Sequence, residues 1–313
     1  MLNMRHLVTF VGVYEERSFS KAAKRLNATQ SGLSMQTQHL EERIGLSLFD
    51  RSPRGVTPTF AGDRLYELAV DVIRRIDQMD ADLRALTGGV SGEVNVGLMP
   101  TFTRAVLAPT LLSFLSDYPD VRVSVLEAYS GVLTQGVVAG DFDFAIVPRA
   151  PHRDGVRTRL LGTDREILVR RPDGMIAHLS PVRLSDLPPL KLVLPSKGNA
   201  RRAAFETYAE IHSIRIATIL SMDAMIATLE FVAQSDFVTI LPETICVNDI
   251  DGSVRALHPL ADPPLTVDYV VIEPAKSALS RGAGLFLAGI EREYARLKDR
   301  WAAPSVASGH QVG

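Results

Sequence analysis

The sequence predicts an α/β protein in two parts, a small helical head with a wing and a larger α/β body. Three observations predict it. Residues 1–58 hold short apolar patterns of helical period, separated by capping and turn residues. Residues 59–86 keep one apolar seam without interruption. From residue 92, past a glycine-rich hinge, short apolar runs alternate with amphipathic ones, the pattern of strands joined by helical crossovers.

Length and composition set the frame. A chain of 313 residues has room for about two cores, and 46% apolar with 22% charged residues is ordinary globular composition. No apolar stretch approaches the roughly 18 residues of a membrane span. The run Leu7–Tyr14 is followed at once by Glu15 and Glu16, with no small-residue cleavage site, so a cytoplasmic chain is expected. The single cysteine, Cys246, excludes an intramolecular disulfide. With no His or Cys beside it, it reads as a plain buried residue. Residues 1–60 hold eight Lys/Arg against five acids, a net +3 that leaves the remainder at −5. A mildly basic head on an acidic body suits a polyanion-binding module, although so small an asymmetry also fits chance variation in surface charge.

In the head, Leu7, Phe10, Val11 and Tyr14 share a helical face. Ser18 and Ser20 can cap a second helix, in which Ala22, Ala23 and Leu26 face inward and Lys21, Lys24 and Arg25 face out. Thr29 can cap a third helix that runs to about Arg43, with Leu33, Thr37, Leu40 and Ile44 inside and Gly45 ending it. Two helices joined by a tight turn, the first with small Ala–Ala for close crossing, form a helix-turn-helix whose second helix enters the DNA major groove. Its uncharged amides and hydroxyls suit base edges. The base-reading candidates are Gln30, Ser31, Ser34, Met35 and Gln36, with Gln38 and His39 behind them. The turn "SPRG" between two short extended pieces predicts a wing, where Arg51 and Arg54 are available to phosphate or the minor groove.

The stretch Ser18–Gly62 resembles the N-terminal signature of the LysR-type transcriptional regulators. The resemblance is carried by Ser18-Phe19, Ala22-Ala23, Leu26, Gln30-Ser31, Ser34, Gln36, Leu40-Glu41, Gly45, Leu48-Phe49, Arg51, Arg54, Thr57 or Thr59, and Gly62. Met35 departs from it, standing where a basic residue is usual, as do Thr37, Gln38 and His39. The resemblance implies a DNA-binding regulator that recognises an interrupted inverted repeat, with fewer phosphate contacts from this helix than in relatives.

Leu65, Leu68, Val72, Ile76, Met79, Leu83 and Leu86 space as a heptad seam on one helix over 59–86, roughly 42 Å long at about 1.5 Å per residue. Such a narrow stripe favours pairing with a second copy, as a homodimer or homotetramer; the alternative is a helix lying on its own domain. "TGGVSGE" then forms a hinge, which closes the linker at residue 91.

In the body, strands are expected over 93–99, 121–128 and 142–148, then at "EILVRR", "LKLVLP", "SIRIATIL", "FVTILP" and 265–273, with a terminal helix over 277–298. Residues 92–302 resemble, more loosely, the family's periplasmic-binding-protein-like effector domain, through "SDYPDVRVSV", "GDFDFAIVP" and "FVTILP". The resemblance implies two lobes, 92–162 with 265–302 and 163–264, and a tail over 303–313 without fixed structure. Ligands of open α/β sheets sit at the carboxyl ends of strands, where helix N-termini offer N–H groups. Those positions, together with the family's contacts, give Thr101, Phe102, Thr103, Ser130, Gly131, Ser196 and Lys197 as effector-binding candidates. Hydroxyls, amides and one Lys suit a small carboxylate or similar anion. The plain alternative is that Thr101, Ser130 and Ser196 are only helix caps. No cofactor, metal site or catalytic constellation is expected: the sequence has no G-x-S-x-G and no H-E-x-x-H, and its seven His form no pair at metal spacing. A solute-binding protein with a chance head, or an enzyme on the two-lobed fold, are the rival readings.

Overall fold

The computed structural model describes residues 3–52, 55–85, 89–151, 154–275 and 278–302. Arg54, Leu86 and the tail 303–313 therefore lie outside the described residues. The chain divides into two compact units, Met1–Gly92 and Glu93–Gly313.

The first unit begins with α1 (Met4–Glu16), whose N-terminus is capped by Asn3 accepting from the His6 amide at 2.9 Å. α2 (Phe19–Arg25) follows, capped by Ser18, and then α3 (Gln30–Ile44), capped by Thr29. Thr29 Oγ1 accepts the Gly32 amide at 3.2 Å, satisfying one of the amides a helix start leaves free. Gly45 ends α3 in the left-handed conformation (φ 74°), which only glycine adopts without strain. Phe10, Val13, Ala22, Leu33, Leu40 and Leu48 close the core of the unit.

A hairpin of β1 (Phe49–Ser52) and β2 (Gly55–Pro58) follows, paired antiparallel from Phe49↔Pro58 to Ser52↔Gly55. Its root is tied to α3, because the Glu41 carboxylate accepts the amides of Leu48 and Phe49 at 2.7 and 3.1 Å.

α4 (Phe60–Ala85) leaves the hairpin at Gly62, where an added Cβ would run into the Leu48 carbonyl oxygen. Its first half packs on α1. The Tyr14 and Tyr66 rings stack at 3.9 Å, Tyr66 donates to Glu15 at 2.9 Å, and Tyr14 donates to Asp63 at the same distance. Burial and the Asp63 carboxylate raise the Tyr14 pKa. The expected seam divides here. Leu65 turns onto the head with Tyr66, Ala69 and Ile73, whereas Leu68, Val72, Ile76, Met79 and Leu83 are exposed along the helix.

The second unit holds a seven-stranded sheet, whose longest strand is shared between two lobes, and a separate two-stranded sheet. In chain order its elements are β3 (Gly92–Leu98), α5 (Pro100–Phe102), a π-helical segment (Thr103–Leu107), α6 (Ala108–Asp117), β4 (Val121–Glu127), α7 (Ser130–Ala139), β5 (Phe144–Pro148) and β6 (Val156–Arg170). Then come β7 (Leu190–Leu194), α8 (Ala200–Ile211), β8 (Ile216–Ser221), α9 (Met225–Gln234), β9 (Thr239–Pro242), α10 (Glu243–Cys246), β10 (Ala256–Pro259), β11 (Thr266–Pro274) and α11 (Arg281–Ala302). The first lobe orders its strands β6-β11-β5-β3-β4, with β3–β5 parallel and β11 antiparallel to both neighbours. The second half of β6 continues into the other lobe, antiparallel to β9 and β10. There β7 and β8 pair in parallel, and β7 is joined to the segment before β9 by the Val193 amide donating to the Val238 carbonyl and the Val238 amide donating to the Lys191 carbonyl.

Three features differ from the sequence expectation. β6 begins ten residues before the run "EILVRR", because its first half is covered by β11 and carries exposed Arg157 and Arg159 instead of alternating apolar residues. β10 was not expected. The helix after the first strand contains the π-helical turn, which re-aims Arg104 toward the second lobe.

Candidate functional site

Two places concentrate exposed or convergent polar groups. On the head, α3 buries Leu33, Thr37 and Leu40, so the opposite ridge presents Ser31, Met35, Gln38 or His39, and Glu42 at successive turns. Gln30 is exposed and accepts from Ser20 Oγ at 2.9 Å, which fixes its amide beside the end of the turn. Ser31 is exposed, Ser34 is half-buried, and Met35 is 69% exposed. Gln36 is half-buried, and its Oε1 accepts from Thr9 of α1 at 2.7 Å. It serves first as a strut between α1 and α3, and only its Nε2 side remains for a partner. Gln38 donates to Glu42 at 3.1 Å, and His39 meets His6 edge-on at 5.9 Å. Arg51 lies on β1 opposite Val56, within the hairpin expected as a wing.

In the second unit a cavity of about 360 Å³ lies where the shared strand passes between lobes. Pro148, Arg149 and residues 265–268 line it from one lobe, and Leu194, Pro195, Phe205, Ile240 and the start of α8 from the other. Its charged floor is Arg201 against Glu166, bidentate at 3.1 and 2.8 Å, with a third bond from Arg201 to the Ile240 carbonyl at 2.9 Å. Their side chains are only 10% and 5% exposed. Burial alone would lower the Arg201 pKa, but the Glu166 carboxylate outweighs it and holds the guanidinium charged. Arg149 is more loosely held, 3.4 Å from Asp268. Arg202, also at the wall, is committed to Glu206, the Pro195 carbonyl and Ser221.

None of the seven sequence-derived effector candidates is among the residues that line this cavity; the nearest in sequence, Ser196, follows the lining Pro195. Thr101 is 2% exposed, and its hydroxyl lies 3.5 Å from that of Tyr269. Phe102 is fully buried in the first lobe, edge-on to Tyr269 at 4.9 Å. It lies four positions past the end of β3, closing the short helical turn of α5, with its ring packed in the first-lobe core. Thr103 donates to the Glu127 carboxylate and to the Pro100 carbonyl. Ser130 is half-buried on the first turn of α7, and Gly131 is exposed. Ser196 and Lys197 are exposed, and the Ser196 amide donates to Asp223 at 2.9 Å. None of Thr101, Ser130 and Ser196 is the cap of its helix; those positions belong to Met99, Tyr129 and Asn199. Tyr129 has its pKa raised by burial and by the Asp223 and Glu127 carboxylates, with Arg201 opposing.

Sequence reading missed Glu166, Arg201 and Arg149. Its second-lobe candidates stopped at Lys197, four residues short of Arg201, and Glu166 looks like the polar phase of a strand. It also missed the polar contacts that tie the lobes. Arg104 reaches the Ile245 carbonyl and Asp249, which also holds Arg255. Lys298 of α11 reaches Asp164 at 2.9 Å and Glu243, and Tyr294 donates to Asp164 at 2.7 Å. Burial, with the Asp164 carboxylate, raises the Tyr294 pKa well above its ordinary value. Cys246 is fully buried, and burial raises its thiol pKa well above the ordinary range. Among the described residues, no group of three or more His, Cys, Asp and Glu could hold a metal ion, and no helix is long and apolar enough to cross a membrane.

Comparison with known proteins covers both units. Residues 4–63 match the family profile "Bacterial regulatory helix-turn-helix protein, lysR family", and residues 87–295 match "LysR substrate binding domain". The chain is 28% identical over 309 residues to the HTH-type transcriptional regulator BbuR of Bordetella bronchiseptica, covering 97% of this chain and 94% of that one. It is 25% identical over 281 residues to the nitrogen assimilation regulatory protein nac of Escherichia coli, covering 89% and 91%. Its fold is similar to that of full-length CbnR crystallised with its target DNA, at TM-score 0.63 and 21% identity over 93% of this chain and 100% of that one. It is also similar to a full-length OxyR variant from Pseudomonas aeruginosa, at TM-score 0.68 and 18% identity over 93% and 95%.

Proposed function

The chain belongs to the LysR family of transcriptional regulators, and we propose that it binds an interrupted inverted repeat as a dimer or tetramer under the control of a small anionic effector. The observation that carries the DNA half is the recognition ridge of α3, uncharged over its first two turns and mounted on a separately packed head. Base edges are read by Ser31, Met35 and the exposed side of Gln30, with Ser34 beside them. Gln36 holds the helix in place, and Arg51 with Arg54 supplies phosphate contacts from the wing. The exposed stripe Leu68, Val72, Ile76, Met79 and Leu83 supports pairing through α4, which would carry two heads to two half-sites.

The cavity between the lobes supports the effector half. Its walls are mostly apolar, and Glu166 already neutralises Arg201, so the anionic end of a ligand is best received by Arg149. Thr103 and the Ser196 amide are held by the chain's own Glu127 and Asp223, and an anion seated there would displace those carboxylates. Binding would shift the balance between lobe arrangements, with Arg104 and Lys298 as the contacts that must yield or tighten. This is a binding protein, not an enzyme, and acts by changing the presentation of two heads.

Two experiments test the reading. In a gel shift on DNA flanking its own gene, retention should weaken steeply with salt; no retention at low salt refutes it. A thermal-shift screen of small carboxylates should find a stabiliser whose effect is lost in Arg149→Met and reduced in Thr103→Val. If both variants keep the full shift, the effector assignment is wrong.

A further inference from the structure

We infer that Met35 recognises the 5-methyl group of thymine, which makes it a specificity-determining residue of the operator site. The inference rests on the DNA-binding reading and names the base that reading leaves open.

Met35 stands on the outward ridge of α3, diametrically opposite the buried Leu33, Thr37 and Leu40, one turn beyond Ser31. At 69% exposure it is an unbranched apolar side chain held out into solvent among polar neighbours. The amides that could compete for the same base are engaged at the protein: Gln30 with Ser20, Gln36 with Thr9, Gln38 with Glu42. The other exposed large apolar residues of the head, Leu46 and Phe60, follow the end of α3 and open α4, away from the first turns of the recognition helix. A major groove offers one apolar group, the thymine methyl; every other base edge there is a hydrogen-bond donor or acceptor. A thioether is a poor acceptor and no donor, so it gains most against that methyl. Having no charge, it cannot substitute for a phosphate contact.

The experiment selects a site from randomised duplexes with the full-length protein, then replaces each thymine of that site in turn by deoxyuridine, which removes only the methyl. Wild-type affinity should fall about four-fold at one thymine in each half-site, the value of one buried methyl-sized group, and about fifteen-fold when both are replaced. Met35→Ala should bind the thymine and deoxyuridine duplexes equally at that position, with an unchanged slope of affinity against salt. The inference is overturned if no deoxyuridine replacement weakens the wild type more than two-fold, or if Met35→Ala keeps the full deoxyuridine penalty. Failure to enrich any sequence would instead overturn the DNA-binding reading, and this inference with it.

Discussion

Replacing Arg201 by Met should destabilise the effector-binding unit more than any other single change at the cavity. The guanidinium makes two bonds to Glu166 and one to the Ile240 carbonyl, all between 2.8 and 3.1 Å, with both side chains almost out of solvent. Truncation leaves the Glu166 carboxylate buried without its countercharge. The cost of breaking a buried pair on one side is about 3–5 kcal/mol. For a unit of this size, about 2–4 °C of melting temperature accompanies each kcal/mol, so the transition should fall by about 6–20 °C. Scanning calorimetry of the full chain would follow the wild type, Arg201→Met, Glu166→Gln and the double variant. The double variant should recover most of the loss, because no unpaired charge remains, and the coupling between sites should exceed about 1.5 kcal/mol. A fall of less than 2 °C in Arg201→Met, or strict additivity of the two single changes, would refute the reasoning.

Other perturbations have equally definite outcomes. Thr37→Val should raise head stability by about 1 kcal/mol in urea denaturation, since the Thr37 hydroxyl is buried with no hydrogen-bond partner among the described residues. Gly62→Ala should lower it by about 3 kcal/mol and abolish DNA retention at 37 °C, because the new Cβ would collide with the Leu48 carbonyl oxygen, which a backbone cannot easily withdraw. The pH dependence centres on His258, which is fully buried, with Nδ1 against the Ser180 carbonyl at 3.2 Å and Nε2 unpartnered among the described residues. Burial lowers its pKa below the ordinary 6.5, so the unfolded chain binds the proton more readily. Stability from this group is complete above pH 6.5 and is lost as the pH falls from there toward the folded pKa. Denaturation midpoints between pH 7 and 5 should drop less steeply in His258→Gln than in the wild type.

The head was legible in the sequence because its information is local. Caps at Ser18 and Thr29, the glycine stop at Gly45, the turn before β2 and the 3.6-residue period each act over a few residues. Composition and seam spacing likewise determined the long α4 and the alternation of the body. Exposure then divided that seam, since whether Leu65 faces α1 or solvent depends on how α4 leaves the hairpin, set by the contact of Gly62 with Leu48. The candidate ligand site was legible only in outline. Strand ends pointed to Thr101, Ser130 and Ser196, but Glu166 and Arg201 meet across 35 positions of chain. Arg104 and Asp249 meet across 145. A single strand passing between two lobes brings such residues together, and no local pattern records that partnership. Position after a strand end also marked Phe102 for a ligand, whereas its burial against Tyr269 is set by tertiary packing. The sequence by itself determined most of the helices, strands and the wing, apart from β10, the first half of β6 and the π-helical turn, because those choices rest on short-range period and backbone geometry. Tertiary structure alone decided which charges neutralise one another and which side of a residue is left free, because burial and pairing depend on neighbours distant in the chain.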